Sequence, residues 1–130
     1  KSLAFHRRLE FHYGSTATNI AAIANNNTLS ATNAKDILTG GGGADTFVFA
    51  SLSRSTLANF DRITDFAIGT DRLDGPTSVL ASRINRLGAV STFDAGGIGT
   101  LLTTTTFAAS RAATFTFADP AGMRTFLALN

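Results

Sequence analysis

Counted back from Phe47 in steps of nine, the chain places Leu38, Leu29, Ile20 and Phe11 in one register of large apolar side chains. Two residues before four of these stand Asp45, Asp36, Asn27 and Thr18, a polar-x-apolar unit whose polar member weakens towards the N-terminus. A period of nine matches neither the 3.6 of a helix nor the 2 of one long strand. It predicts a repeat of one short strand and one turn, with the apolar residue pointing inward. Two repeats then close a flattened coil, and successive coils stack at about 4.8 Å, the spacing of paired strands. The pattern therefore predicts a parallel β-roll.

Past Val48 the pattern changes. In "NFDRITDFAIGTDRLDGPTSV", Ile63 and Phe66 have opposite parity, so a regular strand buries only one of them unless it bends near Asp65. A tight connection then leads into a further short strand stopped by Gly75 and Pro76. Residues 76–87 place Val79, Leu80, Ile84 and Leu87 near one helical face, with Pro76 at the start and Gly88 as a stop, which predicts a short amphipathic helix. Residues 100–107, "TLLTTTTF", are ambiguous, because their β-branched threonines favour a strand. "ATFTF" and "RTFLALN" flank the turn "ADPAG" and predict a β-hairpin, with Phe115 and Phe117 on one face and Phe126 and Ala128 on another.

Composition narrows the functional classes. At 130 residues with no cysteine, the chain is one domain's worth, with no disulfide framework and no thiolate metal site. The net charge is only +2 and the arginines from Arg54 to Arg124 are scattered singly, which argues against a nucleic-acid partner. No apolar run reaches the roughly 18 residues of a membrane span, and no signal peptide heads the chain. The first residue is Lys1, so a fragment of a longer or processed protein is expected. His6 and His12 fall on different faces of a helix, and neither an H-E-x-x-H nor a G-x-S-x-G motif is present, so no enzyme is expected. Ala44 and Asp45 follow the glycine run where a phosphate loop would need a cation.

The acids are more telling. Glu10 is the only glutamate among nine acidic residues. Aspartate competes with helices by bonding its own backbone, so acid here belongs to turns, caps or metal loops. Residues 40–48, "GGGGADTFV", fit the nonapeptide G-G-x-G-x-D-x-U-x, where U is a large apolar residue. Its glycines permit positive φ and expose carbonyl oxygens, and calcium takes six to eight oxygens. Asn27, Asp36, Gly41, Gly43 and Asp45 are the candidate ligands of this stretch. One coil below Asp45 is Asn27, and one coil either side of Asp36 are Thr18 and Arg54, so the spacing predicts zero to two calcium ions instead of a ladder. The alternative is a glycine-rich loop before an ordinary strand. Asp61, Asp65, Asp71 and Asp74 could converge on a second calcium, or each could cap a turn.

"DILTGGGGADTFVFASLSRST" followed by "DRITDFAIGTDRLDG" resembles the junction in repeats-in-toxin (RTX) proteins where the β-roll passes into a C-terminal capping domain, as in serralysin-type proteases. "LGAVSTFDAGGIG", "TLLTTTTFAAS", "RAATFTFADPAG" and "RTFLALN" resemble the tail domain called bluetail, found on cyanobacterial surface proteins. Together the likeness spans residues 27–130, and it tilts residues 100–107 towards helix. The repeats before Gly40 lack the family's glycines. The resemblance implies type I secretion with a signal at the extreme C-terminus, expected beyond Asn130, and calcium-assisted folding outside the cell.

The expected fold is mainly β with minor α: a short parallel β-roll and a mixed cap with one or two short helices and a C-terminal hairpin. Residues 1–26 form the approach and degenerate repeats, 27–75 the roll and junction, and 76–130 the cap. The expected role is a non-catalytic, calcium-stabilised module of a type I secreted or cell-surface protein, serving secretion, folding and surface attachment. Its partners would be an upstream domain of the same polypeptide, another copy of itself or a cell-surface partner. Alternatives are a subunit of an extracellular array or filament and an ancillary domain of a secreted protease or hydrolase.

Overall fold

The computed structural model describes residues 19–22, 24–77 and 81–130. Phe11, Thr18, His6, His12, Val79 and Leu80 lie outside the described residues. The chain divides into two compact units, Lys1–Pro76 and Thr77–Asn130.

In the first unit six short strands follow one another: β1 (Asn19–Ala21), β2 (Thr28–Ser30), β3 (Ile37–Thr39), β4 (Thr46–Val48), β5 (Arg62–Ile63) and β6 (Arg72–Asp74). They alternate between two parallel sheets, ordered β1-β3-β5 and β2-β4-β6. Ile20 pairs with Leu38 and Leu29 with Phe47, so every second repeat is a neighbour in the same sheet, as the period requires. Each of these residues is the middle one of its strand, and Leu29, Leu38 and Phe47 are at most 1% exposed. Their flanking residues point the other way, because side chains alternate along a strand. Ile20, Leu29, Ala31, Leu38 and Phe47 make the core, with Ala22, Phe49 and Ile63 packed against it. Burying each large side chain contributes about 1.5–3 kcal/mol.

The period then stretches. Leu38 pairs with Ile63 and Phe47 with Leu73, because the connection from β4 to β5 is lengthened around a 3₁₀ turn, Leu52–Arg54. The residue stacked one coil above Asp36 is therefore Asp61, the neighbour of Arg62 in the Ile37–Arg62 register, and not Arg54. Arg54 instead donates from Nη1 to the carbonyl of Ala31. The chain bends at Thr64 and Asp65, directly after β5, and Phe66 leaves the strand to lie 6.0 Å from the Phe47 ring.

The second unit holds β7 (Ile84–Val90), α1 (Ala95–Leu101), β8 (Ala112–Asp119) and β9 (Gly122–Leu129). The sheet order is β7-β8-β9, with β7 parallel and β9 antiparallel to β8. The predicted hairpin is present, and its turn is held by the Asp119 carboxylate, which accepts the Ala121 amide at 2.8 Å and meets Arg124 Nε at 2.5 Å. Phe115 lies opposite Phe126, and Ala113 opposite Ala128, so the two predicted faces of the hairpin are one side of the sheet. That side packs Val90, Ile98 and Phe115 with Leu87, Phe93, Phe117 and Phe126. The Phe93 ring sits 4.4 Å from Phe126 and 5.5 Å from Phe117.

Two expected helices are corrected. Over residues 76–87 there is a 3₁₀ turn, Ala81–Arg83, and then β7, which pairs along β8. Leu87 joins the aromatic core while Ile84 stays 39% exposed, so the two do not share the face that a helix would give them. Gly88, read as a helix stop, adopts φ 82° within the bulge between Arg86 and Ala89. Pairing with a distant strand outweighs local propensity here, which is a weak prior. The helix placed over residues 100–107 lies earlier, at Ala95–Leu101, where Asp94 Oδ1 accepts the Gly97 amide at 2.7 Å. Such an N-cap contributes about 1 kcal/mol. The threonines after it form a turn: Thr103 and Thr106 each donate an amide to the other's hydroxyl, at 3.0 and 3.2 Å. Hydroxyl-to-backbone bonds of this kind compete with helix.

Candidate functional site

The polar-x-apolar unit explains the position of the acids. A residue two before an inward-facing one shares its parity, so it also turns inward. Asn27, Asp36 and Asp45 accordingly are 3%, 0% and 1% exposed. A buried carboxylate is costly unless it is bonded. The bonds come from the coil before: Asp45 Oδ1 accepts the Asn27 amide at 2.8 Å, Asp71 Oδ1 the Asp45 amide at 2.9 Å, and Asp61 Oδ1 the Asp36 amide at 2.8 Å. The main-chain ladder starts one residue later, with Thr46, Arg62 and Arg72 donating to the carbonyls of Asn27, Asp36 and Asp45. Each aspartate thus adds one rung below the sheet proper.

The remaining acids divide in the same way. Asp65 reaches back to the glycine run, its two oxygens accepting the Gly40 and Gly41 amides at 2.9 and 2.8 Å. Asp71 Oδ2 takes the Ala67 amide at 2.8 Å. Asp36 also closes its own turn, accepting the amide of Thr32 at 2.6 Å and its hydroxyl at 2.9 Å. Asp74 is exposed on β6 and offers its main-chain carbonyl to Phe49. Asp61, Asp65, Asp71 and Asp74 do not converge: among the described residues no three acidic or histidine side chains gather as a metal-binding group. Asp61 stacks with Asp36, Asp71 with Asp45 and Asn27, and Asp65 with the glycines.

The glycine turn is tightly packed. Gly41 and Gly43 have φ of 83° and 123°. A Cβ on Gly43 would stand 2.7 Å from the Asn25 carbonyl, and the next amide, that of Ala44, donates to Asn26 Oδ1 at 2.8 Å. A Cβ on Gly40 would collide with Asp45 Oδ2. That oxygen is buried without a hydrogen-bond partner, as is Asp61 Oδ2. A bare carboxylate oxygen in a cradle kept open by glycine suits a cation. If a calcium is held at the Gly40 to Asp45 turn, Asp45 Oδ2 is the oxygen that would face it. The repeats before Gly40 lack the glycines that open a turn's carbonyls, so they do not fit a ladder of ions along the roll.

Burial pushes the Asp61 carboxyl up from 3.8 to about 6; the Asp36 amide opposes this, the Asp36 charge adds to it and the Ser55 hydroxyl opposes it again. A carboxyl with a raised folded-state value holds its proton longer when folded than unfolded, so stability falls as pH rises from about 4 to about 6. The shift would be worth about 3 kcal/mol if fully buried. Asp61 is half-buried, and solvent screening reduces this to about 1 kcal/mol. Asp61→Asn keeps the Oδ1 acceptor and removes the charge. Urea midpoints should show it about 1 kcal/mol more stable than the wild type at pH 7.5 and nearly equal at pH 4. A variant less stable at pH 7.5 would show that the charge is needed.

The sequence carried a signal for Asp61 and Asp71 as members of the stack. The polar-x-apolar unit recurs as Asp61-x-Ile63 and Asp71-x-Leu73, visible when the motif is followed in place of the period. Thr32, which closes the Asp36 turn, had none. The family model for the Peptidase M10 serralysin C terminal matches residues 13–124. No curated protein and no solved structure matches the chain.

Proposed function

This chain belongs to the serralysin C-terminal family of M10 peptidases, and on that premise we propose that it is the non-catalytic, calcium-assisted tail of a type I secreted protein. It serves export, folding outside the cell and attachment at the surface. The family's module is an RTX-type β-roll without catalytic residues, so any peptidase or hydrolase activity belongs to another part of the polypeptide. The observation that carries the calcium reading is the unpartnered, buried Asp45 Oδ2 beside Gly40. Calcium there supplies positive charge to a carboxylate that the fold has removed from water. The chain's own residues do the rest: Gly41 and Gly43 turn the backbone, and Phe47 anchors the turn to the core.

The likeness of residues 87–130 to bluetail tails supports surface attachment. A second reading, lateral assembly into an array, is supported by β9, a terminal strand of its sheet with Met123 67% and Leu127 41% exposed. Deleting residues 27–130 from the parent protein should abolish its accumulation in the medium and on the cell surface when a type I exporter is present. Undiminished export without them would sink the proposal. Sedimentation of the exported protein separates a single-copy tail from an array subunit.

A further inference from the structure

We propose that aspartate side chains, in place of ions, join the coils of this roll, so that it closes without calcium and an ion at the Asp45 turn adds to a fold already formed. The inference rests on the roll assigned above but not on export. In a roll built from ion-bridged turns, stacked carboxylates repel one another until a cation lies between them. Here a main-chain N–H lies between them instead. The Asp45 amide stands between the Asp45 and Asp71 levels, and the Asp36 amide between the Asp36 and Asp61 levels. The lowest member of the first stack is the neutral Asn27, whose own amide is taken by Asp45. Asp65 adds two further joints, to Gly40 and Gly41.

The placement of these bonds matters as much as their number. They occur before both sheets: Asn27, Asp45 and Asp71 precede β2, β4 and β6, whereas Asp36 and Asp61 precede β3 and β5. The two bare oxygens, on Asp45 and Asp61, therefore belong to different stacks. The segments before β2 and β3, "AIANNN" and "ATNAKD", contain no glycine, the residue that most readily opens a turn's carbonyls to an ion. Hydrogen bonds to charged groups are roughly twice as strong as neutral ones, which makes a carboxylate on an amide an adequate joint.

The test uses the chain of 130 residues in excess chelator and in millimolar calcium, read by far-UV circular dichroism, urea denaturation and amide hydrogen exchange. In chelator the strand signal and a cooperative transition should persist, and calcium should raise the midpoint without creating the signal. Asp45→Asn and Asp61→Asn retain an Oδ1 acceptor, so the Asn27 and Asp36 amides should stay protected in chelator. Asp45→Ala and Asp61→Ala remove it, and exchange of those amides should speed at least tenfold. If the alanine variants fail to fold, the asparagine variants still decide. A chain that is unstructured in chelator and folds on adding calcium overturns the proposal, as do asparagine variants that lose protection. A chain that folds in chelator but is never exported would sink the functional reading and leave this one standing; an exported chain that needs calcium to fold would do the reverse.

Discussion

Phe47→Ala should destabilise the roll by about 3–5 kcal/mol, the cost of removing a fully buried aromatic ring and leaving a cavity. Phe47 is 0% exposed and sits in β4, the middle strand of its sheet, between Leu29 on one side and Leu73 on the other. Each half coil offers the core one large side chain at the centre of a three-residue strand, so the cavity left by Phe47 is bordered by short strands and by the partly buried Phe49 and Ile63. Phe66, whose ring centre lies 6.0 Å away, is 37% exposed and sits just past the bend after β5. Urea unfolding followed by circular dichroism checks the value. A loss under about 1 kcal/mol would mean that Phe47 is not the inward residue of its coil.

Gly43→Ala should cost about 2–4 kcal/mol, whereas Gly42→Ala beside it should cost under about 1 kcal/mol. At φ 123° a side chain is strained whatever the space, and at Gly43 the space is absent as well: the added carbon would meet the Asn25 carbonyl carbon and oxygen at 2.7 Å. Those are backbone atoms of the coil below, so relief requires the coils to separate. The Asn26 to Ala44 bond would then lengthen from 2.8 Å. At Gly42 the added carbon meets the Ala24 side chain at 3.6 Å, an ordinary contact. Denaturation midpoints of the two variants should differ several-fold in their shift. Equal effects would remove the close approach of turns from the account of why this repeat is glycine-rich.

Both predictions concern parts of the molecule that were readable as sequence, for one reason. Which way Leu29, Leu38 and Phe47 point depends on strand parity and on a repeat length, and both are local. The same parity turns Asp36 and Asp45 inward, and the glycine run announces positive φ at Gly41 and Gly43. The stretch from β4 to β5 was less readable. Lengthening a loop costs little, about 0.6 kcal/mol per doubling, so nothing obliges a repeat to keep its period once a turn is exposed. The spacing therefore offered Arg54 as the neighbour of Asp36 where the fold supplies Asp61.

In the second unit the limits were different. Residues 84–90 carry an apolar spacing compatible with a helix, and only the demand of β8 for a hydrogen-bonded neighbour makes them a strand. Three glycines sit in α1, whose residues pack through Ile98 and Leu101 into the aromatic cluster around Phe93 and Phe126. Propensity alone would not have placed a helix there.

By itself, then, the order of residues determined a two-sided roll with an apolar side chain at the centre of each short strand and a polar residue, most often aspartate, two positions ahead of it, because those relations are set by the geometry of a few consecutive residues. What those aspartates hold was decided only by the stacking of the coils. The same spacing presents a carboxylate equally well to an ion or to an amide, and the choice falls to whichever group the neighbouring coil brings within 3 Å, as Asn27 and Asp36 do here.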